Sequence, residues 1–294
     1  MNRRDFFIWS SLAGVTAARQ RGPALRMVLL TPADTPETAA AMGIRMGVEE
    51  AERAALLFGG DVQLTALEGD ARLMATARAL RDLVRRERPT TVFGGVASEE
   101  CAALAELAER QGFLYLNVTS SDDALRGAAC RATTFHVMPS AAMYRDALAR
   151  AEPPVDSSAR CVAWDASLVR FGADTLNQRF QARYRRPMTG DAWTGWLAVK
   201  MLWEAALRAR TPEPAVVGAV LSRKSTRFDG HKGRALSFRP WDHQLRQPVY
   251  VLIGGSGAPR TVEVPVAQNT STSSTALLDE LGVSSERSSC RWAR

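Results

Sequence analysis

Short apolar runs alternate with long amphipathic segments over the first half of the chain, and this alternation constrains the fold more than any other feature. Runs of strand length occupy residues 25–30, 62–67, 91–93 and 113–118. Between them, residues 43–57, 71–86 and 99–111 place apolar side chains at helical spacing. Strands separated by helices of ten or more residues form a parallel sheet, and right-handed crossovers place the helices on both faces. The sequence therefore predicts an α/β fold with a doubly wound parallel sheet.

The second half of the chain has longer helical segments and fewer strands. The pattern predicts helices over residues 144–151, 173–185, 192–208 and 216–221. It predicts strands over residues 160–164, 235–238 and 248–253, with a hairpin partner over 261–266. Residues 269–275 are rich in Ser and Thr, which is typical of a mobile linker. No apolar run reaches the length of about 18 residues that a membrane-spanning helix needs.

The N-terminus has the pattern of an export signal. Arg3 and Arg4 precede Phe6 and Phe7, and an apolar stretch with small residues near its end follows over residues 8–18. Adjacent arginines followed by aromatic residues resemble a twin-arginine signal. We therefore expect residues 1–18 to direct export to the periplasm, where disulfides form. The alternative is a short amphipathic N-terminal helix.

The charge pattern argues against nucleic-acid binding. The chain has 38 Lys and Arg against 31 Asp and Glu, a net charge of +7. The basic residues are spread along the chain, whereas a nucleic-acid-binding protein has a basic stripe or a known module. We interpret the basic residues as part of a solvated surface. Binding to an anionic partner or to a membrane surface is the alternative that the charge leaves open.

The titratable residues do not form an enzyme-like motif. His136, His231 and His243 lack the spacing of metal ligands. Asp122 and Asp123 are adjacent, and adjacent helical residues do not share a face. We therefore predict a protein without catalytic residues, bound metal or cofactor.

The four cysteines are Cys101, Cys130, Cys161 and Cys290. No two of them have the close spacing of a zinc site or a redox motif. Cys130 and Cys290 both lie in polar, loop-like surroundings, and we predict a disulfide between them that attaches the C-terminal tail to the body. Spacing alone leaves the connectivity open.

Several motifs resemble those of a known family. The sequence GGVAS at 94–98 and the turn and strand FDGHKGRALSF at 228–238 resemble the type I periplasmic binding proteins, in particular the Leu/Ile/Val-binding components of ABC transporters. A narrower resemblance lies in LSFRPWD at 236–242, QLRQPV at 244–249, LNQRF at 176–180, CRA at 130–132 with FH at 135–136, and the ending over 278–292. These motifs are similar to a subgroup associated with alcohol oxidation systems dependent on pyrroloquinoline quinone (PQQ).

The resemblance implies two lobes, of which the second is reduced. Lobe 1 is assigned to residues 24–137 plus 170–246, lobe 2 to 138–169 plus 247–268, and a Ser/Thr-rich tail to 269–294. The family places a complete α/β lobe between a hinge near Met138 and a helix near Leu176. About one helix and one strand are available there. Closure of two lobes around a ligand by hinge motion is therefore expected to be poor.

The resemblance also implies a ligand site and partners. The positions that match the family's carboxylate- and ammonium-binding residues are Ser98, Thr119, Ser120 and Ser121. For Ser98 and Ser121 the alternative role is that of helix N-caps. The implied function is capture of a small ligand, with a carboxylate as one option, for an ABC permease in connection with PQQ-dependent alcohol oxidation. The alternative is an accessory protein that no longer encloses a ligand and acts through a dehydrogenase, cytochrome or transporter.

Two features suggest protein interfaces. Trp241, flanked by Arg239 and Arg246, is expected as an exposed interface residue, because Trp and Arg dominate interface energetics. The missing part of lobe 2 is expected to leave apolar surface exposed, so a homodimer is an open alternative.

Overall fold

The computed structural model describes residues 22–69, 73–95, 97–151, 158–253, 260–263 and 278–292. The proposed export signal and the Ser/Thr-rich stretch 269–275 lie outside the described residues. Within the part that is described, none of the helices combines the length and apolarity needed to cross a bilayer.

A five-stranded sheet forms the centre of the molecule. Its strands are β1 (Ala24–Pro32), β2 (Asp61–Gly69), β3 (Thr91–Phe93), β4 (Leu114–Asn117) and β5 (Thr134–His136). They pair in the order β2-β1-β3-β4-β5, and every pair is parallel. The crossovers contain α1 (Ala39–Phe58), α2 (Leu73–Glu87) and α3 (Ser98–Gln111). The expected α/β fold with a parallel central sheet is confirmed.

The central strands of this sheet are buried on both faces, which explains the continuous apolar run over residues 27–30 of β1, whereas the edge strand β2 is partly exposed. On β1, Met27 and Leu29 belong to one core cluster, together with residues of α1 and of α6 (Gly190–Ala209). Val28 points to the other face and joins a second cluster built from α2 and α3. Alternate side chains of a strand point to opposite faces, so a strand between two helical layers has no polar side.

Helices α1 and α6 approach each other closely because glycines lie where they cross. A Cβ atom on Gly43 would lie 1.9 Å from the carbonyl oxygen of Ala192. A Cβ atom on Gly195 would lie 2.4 Å from the carbonyl oxygen of Ala40. Glycine weakens an isolated helix. The close contact between the two helix backbones therefore explains why glycine occupies these two positions.

A smaller unit contains α4 (Ala141–Ala149), β6 (Arg160–Val162), β10 (Tyr250–Ile253) and β11 (Arg260–Glu263). The three strands form an antiparallel sheet in the order β11-β10-β6. Its core is a separate cluster formed by Met143, Ala147, Val249, Val251 and Leu281. We refer to these elements as the small unit, and to the five-stranded sheet with its flanking elements as the main unit.

The main unit also includes α5 (Ala173–Tyr184), α7 (Pro214–Ser222) and a third sheet of β7 (Phe228–Asp229), β8 (Ala235–Phe238) and β9 (Leu245–Arg246). Helix α4 begins three residues before the predicted start at 144. The reason is a capping contact that periodicity does not reveal: the Ser140 hydroxyl accepts a hydrogen bond from the backbone N–H of Met143 at 3.1 Å.

Candidate functional site

The loops that follow β3 and β4 lie side by side, because these strands are neighbours in the sheet. Gly94 and Gly95 end β3 with positive φ angles of 135° and 78°. A Cβ atom on Gly94 would lie 2.5 Å from the carbonyl oxygen of Leu30. The two glycines therefore let the chain leave β3 close to the end of β1, at the edge where ligands bind in open α/β sheets.

The loop after β4 is ordered by Asn117. Its side-chain oxygen accepts hydrogen bonds from the backbone N–H groups of Ser120 at 2.9 Å and Thr119 at 3.3 Å. Its side-chain nitrogen donates to the carbonyl of Ser120 at 2.8 Å. The Thr119 hydroxyl then donates to the carbonyl of Gly95 at 2.5 Å and joins the two loops. Asn117 was not among the predicted site residues, although an Asn at the end of a strand is a known turn signal.

The four predicted ligand-binding hydroxyls differ in their availability. Thr119 uses its hydroxyl to join the loops, and Ser120 is buried with its hydroxyl accepting from the N–H of Asp122 at 3.3 Å. Ser98 and Ser121 are half-buried. Within the described residues, neither of these two hydroxyls has a hydrogen-bond partner. The arrangement thus leaves Ser98 and Ser121 able to bind a ligand.

Neither serine acts as a helix N-cap, the alternative role that the sequence left open. Ala97 occupies the N-cap position of α3, and its N–H donates to the carboxylate of Glu100 at 3.3 Å. Asp122 caps the short 3-10 helix Asp123–Arg126, accepting from the N–H of Ala124 at 2.9 Å. The carboxylate at the start of α3 lowers the attraction of this helix end for an anion.

A buried arginine holds the loop after β4 in place. Arg126 donates to the carbonyls of Asp122 at 2.7 Å, Ser120 at 3.1 Å and Met138 at 2.7 Å, and to the side-chain oxygen of Gln244 at 2.7 Å. Burial lowers the pKa of the guanidinium to about 10, against the opposing effect of nearby carboxylates, so it stays charged at neutral pH. No local sequence signal identifies Arg126, because two of its acceptors, on Met138 and Gln244, lie 12 and 118 residues away in the sequence.

The crossings between the main and small units are held by buried polar side chains. The Gln247 side chain donates to the carbonyl of Val137 at 2.7 Å. The Lys232 ammonium donates to the side-chain oxygen of Gln247 at 2.9 Å and to the carbonyl of Pro248 at 2.8 Å. It also lies 3.8 Å from the ring centroid of Trp193, within cation–π distance.

Comparisons with known proteins address the fold. Residues 29–157 match the sequence model of a family described as periplasmic binding protein. A Burkholderia mallei periplasmic binding protein superposes with a TM-score of 0.71 at 11% identity, covering 91% of this chain and 98% of that chain. The chain has the fold of the type I periplasmic binding proteins.

Other proteins with this fold were solved with ligands. The solute-binding protein of an R. palustris ABC transporter, in complex with benzoate, has a TM-score of 0.69 at 12% identity and covers 91% of this chain and 99% of its own. LivJ from Streptococcus pneumoniae, in complex with isoleucine, has a TM-score of 0.65 at 11% identity, covering 82% of this chain and 99% of its own. No curated protein sequence matches this chain.

The histidines of this periplasmic-binding-protein fold are packed into the structure. Burial holds the pKa of His136 well below its ordinary value and lowers that of His243 to about 4. The Nδ1–H of His243 donates to the Thr134 carbonyl at 3.2 Å. His231 stacks on Trp196 with ring centroids 5.6 Å apart. Across the described ranges, no cluster of three or more His, Cys, Asp or Glu side chains could hold a metal ion.

The C-terminal residues fold back onto the main unit. The predicted disulfide between Cys130 and Cys290 is confirmed, with Cα atoms 5.7 Å apart. Cys101 is a buried free thiol, and Cys161 is a half-buried one.

Trp241 is less exposed than the sequence predicted, and its role at a protein interface stays a prediction. Its side chain is half-buried, and its indole N–H donates to the carbonyl of Val283 at 3.2 Å. Arg239 and Arg246 lie over the same ring, each 5.4 Å from its centroid. The residue therefore binds the C-terminal segment of its own chain, which the sequence did not place beside it.

Proposed function

We propose that this chain is an exported, ABC-transporter-type substrate-binding protein that holds a small carboxylate-bearing ligand beside Ser98 and Ser121. The observation that supports this most is a pair of half-buried hydroxyls that have no hydrogen-bond partner among the described residues and that follow two adjacent parallel strands. Hydroxyl groups and the first N–H groups of a helix are suitable donors to a carboxylate.

The donors at the candidate site and the structural neighbours both support a carboxylate ligand. Hydroxyl and amide donors suit a carboxylate more than an alcohol or an aldehyde, because hydrogen bonds to an ionised acceptor are about twice as strong. The names of two structural neighbours include the carboxylates benzoate and isoleucine. Because Glu99 and Glu100 lie in the first turn of α3, we expect modest affinity, and a single carboxylate on the ligand.

We further propose that the chain serves PQQ-dependent alcohol oxidation in the periplasm, with export through a twin-arginine signal. The support is the motif resemblance of residues 236–242, 244–249 and 278–292. In this setting the ligand is an alcohol-oxidation product such as a short carboxylate, and the partner is an ABC permease. Self-association into a homodimer stays a prediction, which analytical ultracentrifugation of the mature chain tests.

One observation favours a second candidate function. The small unit, which we propose is the reduced lobe 2, has one helix and three strands among the described residues. A unit of this size covers little of a ligand, whereas small-molecule sites bury most of the ligand surface. In this alternative, the chain is an accessory protein that acts through a PQQ-dependent dehydrogenase, a cytochrome or a transporter.

Isothermal titration calorimetry of the purified mature chain separates the two candidates. The probes are acetate, benzoate, leucine, isoleucine, ethanol, acetaldehyde and PQQ. We expect saturable binding of at least one carboxylate, weakened about tenfold by Ser98→Ala and again by Ser121→Ala, because a hydrogen bond to a charged group contributes about 1.5 kcal/mol or more. Ser225→Ala, an exposed hydroxyl on the main unit, is the matched control and should bind as the parent does.

Binding that is unaffected by either serine variant would contradict the proposed site. Absence of saturable binding for every probe would contradict the first function. Co-purification of a dehydrogenase or cytochrome subunit with the same sample would then support the second.

A further inference from the structure

The C-terminal residues 278–292 contact both units at once, and we call this segment the C-terminal clamp. Near its end, Cys290 forms the disulfide with Cys130. Cys130 lies four residues before the start of β5 in the main unit. The first half of the clamp packs against the small unit. The clamp therefore spans the crossing between β5 and α4, where rotation of the two units would take place.

The clamp is bound to the main unit by ion pairs. Arg246 donates to both carboxylate oxygens of Asp279, at 2.6 and 3.0 Å, and Arg239 donates to one of them at 3.2 Å. The side chain of Arg239 is only 1% exposed and that of Arg246 is 10% exposed. Ion pairs of this kind, bidentate and largely buried, are stronger than pairs on an open surface.

The clamp is bound to the small unit by packing and by hydrogen bonds to α4. Leu281 is fully buried in the core of the small unit. The N–H of the next residue, Gly282, donates to the carboxylate of Asp146 at 2.7 Å. Glu280 pairs with Arg150 at the end of α4 at 2.7 Å.

Gly282 lies between the two units with little free space. Its φ angle is 86°, and a Cβ atom there would lie 2.9 Å from the side chain of Met143 and 3.4 Å from that of Arg239. Met143 belongs to α4, and Arg239 follows β8 of the main unit. Side chains of both units therefore lie next to Gly282, a single residue of the clamp.

The opposite end of α4 is attached to the candidate ligand site. The N–H of Ala141 donates to the Ser121 carbonyl at 2.7 Å, and that of Ala142 donates to the Asp123 carboxylate at 3.0 Å. Arg145 pairs with the same carboxylate at 2.9 Å. Helix α4 is therefore attached at its start to the loop that contains Ser121 and at its end to the clamp.

We propose that the C-terminal clamp fixes α4 and the small unit against the main unit, so that the candidate site beside Ser121 keeps one arrangement and is not opened and closed by hinge rotation. Rotation about the crossing would separate Leu281 from its core or Asp279 from Arg246. The proposal rests on the proposed function only for the location of that site. Any ligand then binds a preformed edge, and the surface offered to a partner does not change with ligand.

Hydrogen exchange measured by mass spectrometry on the oxidised mature chain tests this without a ligand. The amides to follow are those of Ala141 and Ala142, which bond across the units, with β3 as an internal reference. In Asp279→Asn we expect roughly thirtyfold faster exchange at these two amides, the factor that corresponds to a loss of about 2 kcal/mol in a charge-assisted contact. Exchange in β3 should stay unchanged, because opening of the small unit leaves the central sheet intact.

A second variant and a control complete the design. Leu281→Ala should accelerate the same amides by removing the apolar contact, while Glu286→Gln, an exposed acid in the same segment, should change nothing. The proposal is overturned if the two α4 amides of the parent chain exchange without protection, or if Asp279→Asn leaves them unchanged. It is also overturned if Asp279→Asn accelerates β3 equally, since the clamp would then stabilise the whole chain and not the relation of the units. These outcomes are independent of the binding titration.

Discussion

Removing the disulfide between Cys130 and Cys290 gives a prediction whose magnitude follows from the loop that it closes. The two cysteines are 160 residues apart in the sequence. In the chain-entropy treatment, a cross-link over a loop of that length restricts the unfolded chain by about 5 kcal/mol at 25 °C. Unfolded chains under native conditions keep residual structure, so we expect a measured loss of about 2–5 kcal/mol. Alanine is the preferred replacement, because both sites are buried and serine would add a hydroxyl that needs a partner.

Urea unfolding followed by tryptophan fluorescence measures this loss in the Cys130→Ala, Cys290→Ala double variant. The m-value should rise together with the fall in the free energy of unfolding, because the unfolded chain without the cross-link exposes more surface. Parent protein treated with a reductant should behave like the double variant, and Cys161→Ala, which removes a free thiol, should leave the m-value unchanged. A loss below about 1 kcal/mol with an unchanged m-value would refute the entropy argument.

Three further predictions concern buried groups of the main unit. The pKa of His243 is lowered by burial from 6.5 to about 4, so as the pH falls the unfolded chain binds a proton at a higher pH than the folded chain does. The contribution of His243 to the free energy of unfolding is therefore fully present above about pH 6.5, and up to about 3 kcal/mol is lost as the pH falls towards 4. His243→Asn, measured by thermal unfolding across this range, should flatten the dependence, and an unchanged slope would contradict the assignment. Gly43→Ala should cost about 3 kcal/mol or more in urea unfolding, because its Cβ would overlap the carbonyl of Ala192, against about 1 kcal/mol for Ala54→Gly on the same helix. Arg126→Met should cost about 3 kcal/mol or more, because it removes four hydrogen bonds that a buried guanidinium donates. A smaller loss in Arg126→Met than in Arg126→Lys would show that these hydrogen bonds do not stabilise this loop.

The central sheet and most of its crossovers could be predicted because their signals are local. The strands over Thr91–Phe93 and Ala235–Phe238 match the predicted residues, and α3 begins one residue before its predicted start. Apolar periodicity records which side chains face the core, and a sheet buried on both faces needs continuous apolar strands.

The candidate site was predictable in position but not in detail. The sequence placed Ser98 and Thr119 to Ser121 at the ends of neighbouring strands, and the structure brings both loops together through Thr119 and Gly95. It could not indicate that Ser120 is buried and that Ser98 and Ser121 keep their hydroxyls free of described partners. That difference depends on the direction in which each side chain leaves the turn formed by Asn117.

By itself, the sequence determined the layers of the main unit, the edge of the sheet where the serines lie and the pair of cysteines most suited to a disulfide. The tertiary structure alone decided that Trp241 faces the chain's own C-terminus, that Arg126 joins the site loop to a crossing segment and that Asp279 bonds to Arg246. The physical reason is the same in each case. Periodicity and turn chemistry act between residues that are close in the chain. Arg126, by contrast, bonds to Met138 and Gln244, which are 12 and 118 residues away, and Asp279 lies 33 residues from Arg246. Only the folded chain brings such residues together.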